Sequence, residues 1–213
     1  MTDLWSGRAD DYRNSPTHAE GADLDLVVEW CEPAAGITAL DVATGGGHVA
    51  RRLRERGASV VTADPAPGMR ADTTASAEHL PFADASFDVV ACRIAAHHFA
   101  DVNAAIREMA RVARDKVVIE DNLFFDESSE EAERLRDPSH VRCYSQPEWE
   151  VMLEAAGLRV DAIERFDRRV PLQPWLERVR CTGDDAIRVV ELLGSRVEKD
   201  TVQMSSLVIR GRK

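Results

Sequence analysis

The stretch "ALDVATGGGHVARRL", residues 39–53, decides the fold. Its apolar first part has the composition of a buried strand, three glycines follow at 45–47, and a helical pattern begins directly after them. Glycine permits positive φ and lacks the Cβ atom that would keep a ligand away from the backbone. The helix behind the glycines offers free N–H groups and the positive end of its dipole. The stretch therefore predicts a strand–turn–helix unit whose turn binds a ligand at close range.

Short apolar strands alternate with helices on either side of this unit. Strand patterns occupy 59–64, 87–95 and 116–122, and a helical pattern covers 102–113. Such alternation predicts a parallel sheet with helices on both faces. The last third adds a helix at 145–158, which opens on a Ser145–Glu148 capping box. Two further strand patterns follow this helix and suit an antiparallel edge. We expect a single α/β domain over residues 1–213.

The connection after the second strand is short. Only about a dozen residues separate Asp64 from "AEHLPF", residues 77–82. A helical crossover between parallel strands needs about ten to twelve residues of its own. We therefore expect the crossover after strand 2 to be shortened, with its helix absent or reduced to a turn.

Composition and charge exclude several classes of protein. The 213 residues carry a net charge of −11, which opposes binding to nucleic acid. No apolar run reaches membrane-spanning length, and the N-terminus has no apolar signal core. The four cysteines lie far apart and form no C-x-x-C pair, so they indicate reduced thiols rather than a metal site. We expect a cytoplasmic protein without metal, nucleic acid or membrane insertion.

Two acidic residues define the ligand that the glycine turn receives. Asp64 lies at the tip of the second strand, 19 residues after Gly45, where a carboxylate can accept hydrogen bonds from both hydroxyls of a ribose. Gly45, Gly47 and Ala50 satisfy G-x-G-x-x-G/A, which also fits a dinucleotide. Asp41 favours a different ligand, because an acid near the turn would repel a pyrophosphate but attract a sulfonium. It can also brace the N–H groups of the loop. Both cofactor classes remain open on these residues alone.

Four stretches resemble the class I S-adenosylmethionine-dependent methyltransferases, and specifically the small-molecule group that includes quinone-biosynthesis enzymes. They are "LDVATGGGH" (40–48), "VVTADPAPGM" (60–69), "AEHLPFADASFDVVACRIAAHHFAD" (77–101) and "EMARVA" (108–113). The part "LPFADASFDVV" is the most specific, since nicotinamide-binding folds do not carry it in that place. The resemblance covers about residues 37–122. It implies a Rossmann-like, seven-stranded, mostly parallel sheet with helices on both faces and an antiparallel C-terminal edge strand.

The resemblance also implies a binding site for S-adenosylmethionine. The loop after the first strand would surround its methionine part, Asp64 would hold the ribose, and the strand end at Arg93 would face the methyl group. The implied cofactor-binding residues are Asp41, Ala43, Thr44, Gly45, Gly47, Asp64, Pro65, Ser76, Ala77, Glu78 and Arg93. The sequence departs from the family pattern at Ala43, where glycine is usual, and at Ser76–Ala77, where an acid precedes the small residue. It also has "VARDKVV" (112–118) where a proline–glycine–glycine turn is usual.

Two histidines are the candidates for acid–base chemistry. His97 and His98 come directly after the fourth strand, where a side chain can deprotonate a methyl acceptor. The alternative is structural: one histidine packs under the loop and the other caps the next helix. Methyl transfer from a sulfonium requires mainly that the acceptor is aimed and water excluded, so a base is not obligatory.

Two segments are expected to shape the acceptor site. Residues 1–22 form a lid in the family, with Tyr12 and His18 facing the acceptor; a surface arm is the alternative. Residues 123–146 form an insertion that shapes the acceptor pocket through His140, Arg142 and Tyr144; a solvated loop is the alternative. Within the insertion, the charged run "DESSEEAERLRD" (126–137) is typical of a solvated, salt-bridged helix face.

Three functions follow from these features. The first is methyl transfer from S-adenosylmethionine to a small organic acceptor by in-line displacement. The second is a nicotinamide-dependent oxidoreductase, which needs the glycines but not the "LPFADASFDVV" string. The third is a non-catalytic module that binds S-adenosylmethionine.

Overall fold

The structure, a computed structural model, describes residues 2–213; Met1 and the side chains of residues 2–4, 16 and 17 lie outside the described residues, as does that part of the expected lid. The strands are β1 (Thr38–Val42), β2 (Ser59–Asp64), β3 (Thr73–Thr74), β4 (Phe87–Arg93), β5 (Ala113–Asn122), β6 (Arg159–Pro171), β7 (Val197–Glu198) and β8 (Thr201–Arg212). The helices are α1 (Thr2–Arg13), α2 (Pro16–Ala19), α3 (Ala22–Trp30), α4 (His48–Glu55), α5 (Val102–Val112), α6 (Glu127–Arg136), α7 (Gln146–Ala155), α8 (Leu172–Glu177) and α9 (Gly183–Leu193).

The sheet confirms the predicted fold class. Its strand order is β3-β2-β1-β4-β5-β8-β6, and the short β7 pairs with β8 outside this path. The pairs from β3 to β5 are parallel, whereas β8 runs antiparallel to both of its neighbours. The antiparallel C-terminal strand therefore lies one position in from the edge, and β6 forms the edge itself.

Apolar side chains on both faces of the sheet hold the layers together. Leu40 of β1 faces a core that includes Trp149 of α7 and residues of α5. Ala39, the neighbour of Leu40 in the same strand, faces a second core with Leu24 of α3 and Leu53 of α4. Because successive side chains of a strand point to opposite faces, a strand buried on both sides is mostly apolar, and in β1 the exception is the buried Asp41.

The crossover after β2 is shortened, as the residue count predicts. A single 3₁₀ turn at Pro67–Met69 and the two-residue β3 replace a full helix. Helix α1 packs against this turn, where the Gly68 amide nitrogen lies 3.1 Å from Ser6 Oγ and the Gly68 carbonyl accepts from Arg13 at 3.0 Å. The N-terminal segment is thereby fixed beside the carboxyl end of β2.

The expectation of a solvated, salt-bridged helix face at 126–137 holds for one side of α6 only, where Glu127, Glu131 and Arg134 are exposed and Glu131 pairs with Arg188. Glu130 of α6 is only 2% exposed and Glu133 7%. The Glu130 carboxylate accepts from His140 Nε2 at 3.0 Å and from the Cys143 backbone amide at 3.2 Å. Helix α6 packs against α9, and Glu130 on its buried side accepts hydrogen bonds from the loop that follows the helix.

Two smaller expectations concern membranes and cysteines. Across residues 2–213, no helix combines the length and apolar character needed to cross a membrane. Cys31, Cys92, Cys143 and Cys181 are buried free thiols.

Candidate active site

A cavity of about 290 Å³ opens at the carboxyl ends of β1, β2 and β4. Ligands in open α/β sheets bind at this edge. Its wall contains thirteen of the residues that the sequence singled out: Tyr12, His18, Asp41, Ala43, Thr44, Gly45, Asp64, Pro65, Ser76, Ala77, Glu78, Arg93 and His98. Trp5, His48 and Met69 also line it, and sequence reasoning did not name them as site residues.

Asp41 braces the glycine turn from below. The carboxylate is 2% exposed and its Oδ2 accepts from Thr44 Oγ1 at 2.6 Å and from the Ala50 amide at 3.1 Å. Burial raises the pKa of Asp41 to about 6, although both hydrogen bonds favour the charged form. Gly45 has φ +51°, a conformation that glycine adopts without strain. Gly47 lies behind the wall as the N-cap residue of α4, with its amide bonded to the Thr44 carbonyl at 2.8 Å.

Asp64 joins the loops after β1 and β2. Its Oδ2 accepts from the Gly45 amide at 3.0 Å, and its Oδ1 accepts from the Ala66 amide at 2.9 Å. Burial raises the pKa of the carboxyl, and the two amides oppose that shift. Each oxygen retains lone pairs for a further donor, because a carboxylate offers about four acceptor positions.

The far end of the cavity is formed by residues 76–78 and Pro65. Ala77 is buried, and Glu78 Oε1 accepts from the Ala100 amide at 3.0 Å. Glu78 thus connects this end of the wall to the loop before α5. The sequence placed these residues at the adenine edge, and the structure brings them into the same cavity as Asp64.

The Arg93 guanidinium belongs to a buried ion cluster. It is paired with Asp23, donates to the His18 carbonyl at 3.0 Å and has its Nε 2.9 Å from Glu120 Oε2. Glu120 is fully buried, and burial raises its pKa to about 7 against the opposing charge of Arg93. The Arg93 side chain therefore lines the cavity, while its guanidinium group is engaged by Asp23, Glu120 and the His18 carbonyl.

Ile94 follows in a strained conformation. Its φ is +51°, which a β-branched residue rarely adopts. The Ile94 amide donates to the Glu120 carbonyl at 2.7 Å, and this bond holds the turn that presents Ile94 to the cavity. Backbone strain of this kind concentrates at functional sites.

His98 lies in the wall with a defined hydrogen-bond partner. Its Nδ1 is 3.1 Å from the Ser139 carbonyl oxygen and 3.3 Å from Ser139 Oγ. Burial lowers the pKa of His98 well below its ordinary value, and the neighbouring His97 lowers it further. The side chain is therefore neutral at pH 7.

His97 has a different environment and does not line the main cavity. Its ring Nδ1 lies 2.5 Å from Asp121 Oδ1, and its backbone amide donates to the other oxygen at 2.7 Å. Burial opposes protonation of His97, but the Asp121 charge outweighs it and the pKa is raised. The His97 carbonyl accepts from the amides of residues 141 and 142. His97 therefore packs under the loop, as the structural alternative expected for one of the two histidines. The other half of that alternative is wrong, because the N-cap of α5 is Asp101 and not a histidine.

The N-terminal segment covers the cavity. The Trp5 and His98 rings meet edge to face at 4.7 Å, and the Tyr12 carbonyl lies 3.0 Å from His48 Nε2. Burial lowers the pKa of His18, whose Nδ1 lies 2.8 Å from Ser15 Oγ. The described part of residues 1–22 thus lies over the cavity.

The three side chains expected from the 123–146 insertion do not line the cavity. His140 is bonded to Glu130, Arg142 to Glu148 at 2.6 Å, and the Tyr144 ring packs on Trp149 at 5.8 Å between centroids. The loop contributes through its backbone instead, because residues 139, 141 and 142 hold the two histidines. Glu130, His140 and Cys143 also bring potential ligand atoms within 4.8 Å of one another. Burial raises the pKa of the Cys143 thiol, so the thiol stays protonated. The cluster is held by hydrogen bonds from His140 and from the Cys143 amide to Glu130.

A second chamber of about 60 Å³ adjoins the main cavity. Tyr12, His18, Ile94 and His98 belong to both walls and mark the junction. Beyond it, the chamber is lined by Arg136, Arg168 and Arg178, among others. No local pattern predicts this chamber, since its arginines lie on three separate elements: on α6, on β6 and after α8.

Comparison with known proteins identifies the family of the chain. A family model described as a methyltransferase domain matches residues 40–119. YcgJ of Bacillus subtilis (strain 168), described as an uncharacterized methyltransferase, is 34% identical over 209 residues, which is 87% of this chain and 82% of that protein. Demethylmenaquinone methyltransferase of Thermus thermophilus is 40% identical over 89 residues, or 34% of this chain and 40% of that enzyme.

Solved structures give the same result. The crystal structure of YcgJ has a TM-score of 0.82 at 27% identity and covers 90% of this chain and 97% of its own. BH2331 of Bacillus halodurans C-125 also reaches 0.82, at 26% identity, with 91% and 99% covered. The chain belongs to the class I S-adenosylmethionine-dependent methyltransferases and is a methyltransferase. The oxidoreductase alternative is thereby set aside.

Proposed function

We propose that the protein transfers the methyl group of S-adenosylmethionine to a small organic acceptor by in-line displacement. One observation carries the proposal: the cavity wall presents Asp64 and Asp41 beside a glycine turn, at the carboxyl ends of the strands. A cationic nucleoside with a ribose diol suits these carboxylates, whereas a diphosphate would be repelled by them. The wall residues thus fit this cofactor.

The proposed contacts follow the order of the wall. Asp41 and residues 43–45 would hold the methionine part, Asp64 the ribose hydroxyls, and Pro65 with residues 76–78 the adenine. When bound, S-adenosylmethionine supplies a methyl group that its sulfonium makes electrophilic. The task of the chain is then to aim the acceptor and exclude water. Trp5 and Tyr12 support water exclusion, since the segment that carries them lies over the cavity.

His98 is the proposed proton acceptor. Because a carbonyl oxygen can only accept, the Ser139 contact requires the proton on Nδ1 and leaves the lone pair on Nε2. A neutral imidazole with a free Nε2 can take the proton of an acceptor O–H or N–H group. His97 is proposed as a positioning residue, because Asp121 already engages its ring.

Thermal unfolding with ligands tests the cofactor. S-adenosylhomocysteine at about 100 times its dissociation constant adds roughly 2.7 kcal/mol to the stability. The midpoint should then rise by several degrees, at about 2–4 °C per kcal/mol for a domain of this size. NAD at the same concentration should leave it unchanged. Stabilisation by NAD alone would reject the proposal, and formation of S-adenosylhomocysteine with a panel of small acceptors tests turnover.

A further inference from the structure

Helix α1 carries a buried arginine on its inner side. Arg8 is 5% exposed, although arginine is among the residue types least often buried. Trp5 and Tyr12 lie three and four positions from it on α1, so the three side chains share one side of the helix. Trp5 and Tyr12 line the main cavity, whereas the Arg8 side chain reaches the segments that follow α6 and α8. Its guanidinium group therefore makes its contacts inside the protein.

The Arg8 guanidinium has two partners. Its Nη2 donates to the Val179 carbonyl at 3.0 Å, and its Nη1 lies 3.5 Å from Asp137 Oδ1. The side chains of this ion pair are 6% and 2% exposed. A buried ion pair adds little net stability, because the cost of desolvation offsets the attraction. Such a pair can instead fix the orientation of the groups around it.

Asp137 joins Arg8 to Ser139. Its Oδ1, the oxygen that faces Arg8, accepts from Ser139 Oγ at 2.6 Å and from the Ser139 amide at 3.1 Å. Burial would raise the pKa of Asp137, but the hydrogen bonds from Ser139 help to keep it below its ordinary value. The carboxylate is therefore charged at pH 7, and one of its oxygens serves both Arg8 and Ser139.

Ser139 in turn contacts the ring of His98. The carbonyl oxygen of Ser139 lies 3.1 Å from His98 Nδ1, and its Oγ lies 3.3 Å from the same nitrogen. Because the amide and the hydroxyl of Ser139 are bonded to Asp137, the direction of its carbonyl depends on the position of that carboxylate. The Trp5 ring meets the His98 ring edge to face at 4.7 Å. Helix α1 thus reaches His98 directly and also through two further residues.

We propose that Arg8 is a positioning residue for His98. By holding Asp137, Arg8 orients the Ser139 carbonyl, which keeps the ring proton on Nδ1 and leaves Nε2 free. Arg8 acts through these two residues and not on the reacting atoms. Docking of α1 therefore orients the proton acceptor in addition to covering the cavity. The inference rests on the proposed function, since His98 is the proton acceptor proposed there.

The tautomer of His98 can be measured without turnover. ¹⁵N NMR of the imidazole side chains distinguishes a protonated ring nitrogen from an unprotonated one, and His98→Gln identifies the signals of His98 among the six histidines. The wild type should carry the proton on Nδ1. A wild-type His98 with its proton on Nε2 would overturn the proposal without any variant of Arg8.

Replacement of Arg8 tests its role. Arg8→Gln removes the charge that holds Asp137, so part of the His98 population should move its proton to Nε2. The value of kcat should then fall about 10- to 100-fold, a part of the full contribution of a general base. Affinity for S-adenosylhomocysteine should stay near the wild-type value, whereas a general loosening of α1 would weaken it. Arg8→Lys restores the charge without the planar fork and should recover most of the lost turnover.

Arg13→Gln is the matched control on the same helix. Arg13 donates to the Gly68 carbonyl at 3.0 Å and pairs with Asp10, so its replacement also removes a charge and a contact of α1. Its partners are Gly68 and Asp10 rather than Asp137, so His98 should keep the wild-type tautomer in this variant.

A double variant tests the route from Arg8 to His98. Asp137→Ala removes the carboxylate and should itself shift the tautomer. In the Asp137→Ala background, Arg8→Gln should change kcat no further, because residues that act as one unit are not additive. Additive losses in the double variant would show that Arg8 acts by another route and would overturn the proposal.

The outcomes distinguish the two proposals. Failure of S-adenosylhomocysteine to stabilise the wild type would reject the proposed function, and wild-type turnover in His98→Gln would reject the role of His98 in it. An unchanged tautomer and kcat in Arg8→Gln would reject the inference alone, as would an equal shift of the tautomer in Arg13→Gln. If Arg8→Gln does not fold, Asp137→Ala asks the same question from the other end of the ion pair, and an unchanged tautomer there would also reject the inference.

Discussion

His98 Nδ1 lies 3.1 Å from the backbone carbonyl oxygen of Ser139. This contact fixes the tautomer of the ring, because the carbonyl accepts only and the proton must therefore reside on Nδ1. The loop that carries Ser139 is in turn held by the His97 carbonyl and by Asp137, which accepts from Ser139 Oγ at 2.6 Å. The 123–146 segment thus determines which ring nitrogen of His98 carries the proton.

Replacement of His98 tests its role as a base. His98→Gln keeps a polar side chain of similar size but removes the proton acceptor, so kcat should fall by about 10²- to 10⁴-fold. Affinity for S-adenosylhomocysteine should stay near the wild-type value. Ser139→Ala is the control, because it retains the carbonyl that fixes the tautomer, and its turnover should change little. Wild-type turnover in His98→Gln would show that the acceptor needs no base.

The pH dependence of kcat follows from the environment of His98. A base acts in its neutral form, and burial lowers the pKa of His98 well below 6.5. Turnover should therefore be constant from about pH 6.5 to 8 and decrease only under more acidic conditions. The measurement is kcat against pH with saturating substrates. A half-maximal rate at or above pH 6.5 would contradict the assignment.

Much of this architecture follows from local sequence. The strand–turn–helix unit, the acid at the end of β2 and the short crossover were all predicted, because periodicity, glycine and residue count each act over a few neighbouring positions. Asp64 could be placed beside Gly45 for the same reason: the ends of adjacent parallel strands lie at one edge of the sheet.

Other features depend on tertiary packing and left no local signal. The charged pattern of α6 is that of a solvated helix, yet Glu130 is buried, because His140 and Cys143 in the loop that follows the helix fold back and supply its donors. Position in a loop likewise indicates nearness to the site but not side-chain direction, so the expectation for His140, Arg142 and Tyr144 failed. The positive φ of Ile94 is unpredictable from a residue type that avoids it.

Docking of the N-terminal segment is tested at Gly68. A Cβ atom at this position would lie 2.6 Å from Ser6 Cα and 2.8 Å from the Ser6 carbonyl oxygen, so Gly68→Ala should displace α1 at a cost of about 1–3 kcal/mol. Limited proteolysis of the N-terminal segment should become faster, and S-adenosylhomocysteine should bind more weakly. Gly7→Ala is the control, since its Cβ would meet nothing within 4 Å. Identical proteolysis of the two variants would contradict the docked arrangement.

The burial of Glu130 in α6 predicts a loss of stability when this residue is replaced. Glu130→Ala leaves His140 and the Cys143 amide without their acceptor and should lower the free energy of unfolding by about 3 kcal/mol. Glu131→Ala, in the next position of the same helix, removes a 62% exposed side chain and should change it by less than about 0.5 kcal/mol. Urea unfolding of both variants gives the comparison. Similar losses of stability in the two variants would contradict a structural role for the buried Glu130 carboxylate.

Calorimetry of S-adenosylhomocysteine binding to the wild type and to Asp64→Ala tests the central claim most directly. Asp64 is proposed to hold the ribose, so its loss should weaken binding by about 10- to 100-fold, the effect of hydrogen bonds to a charged group. Asp25→Ala, which removes a largely exposed carboxylate paired with Arg52 on the surface, should bind as the wild type does. Undiminished binding to Asp64→Ala would contradict the account.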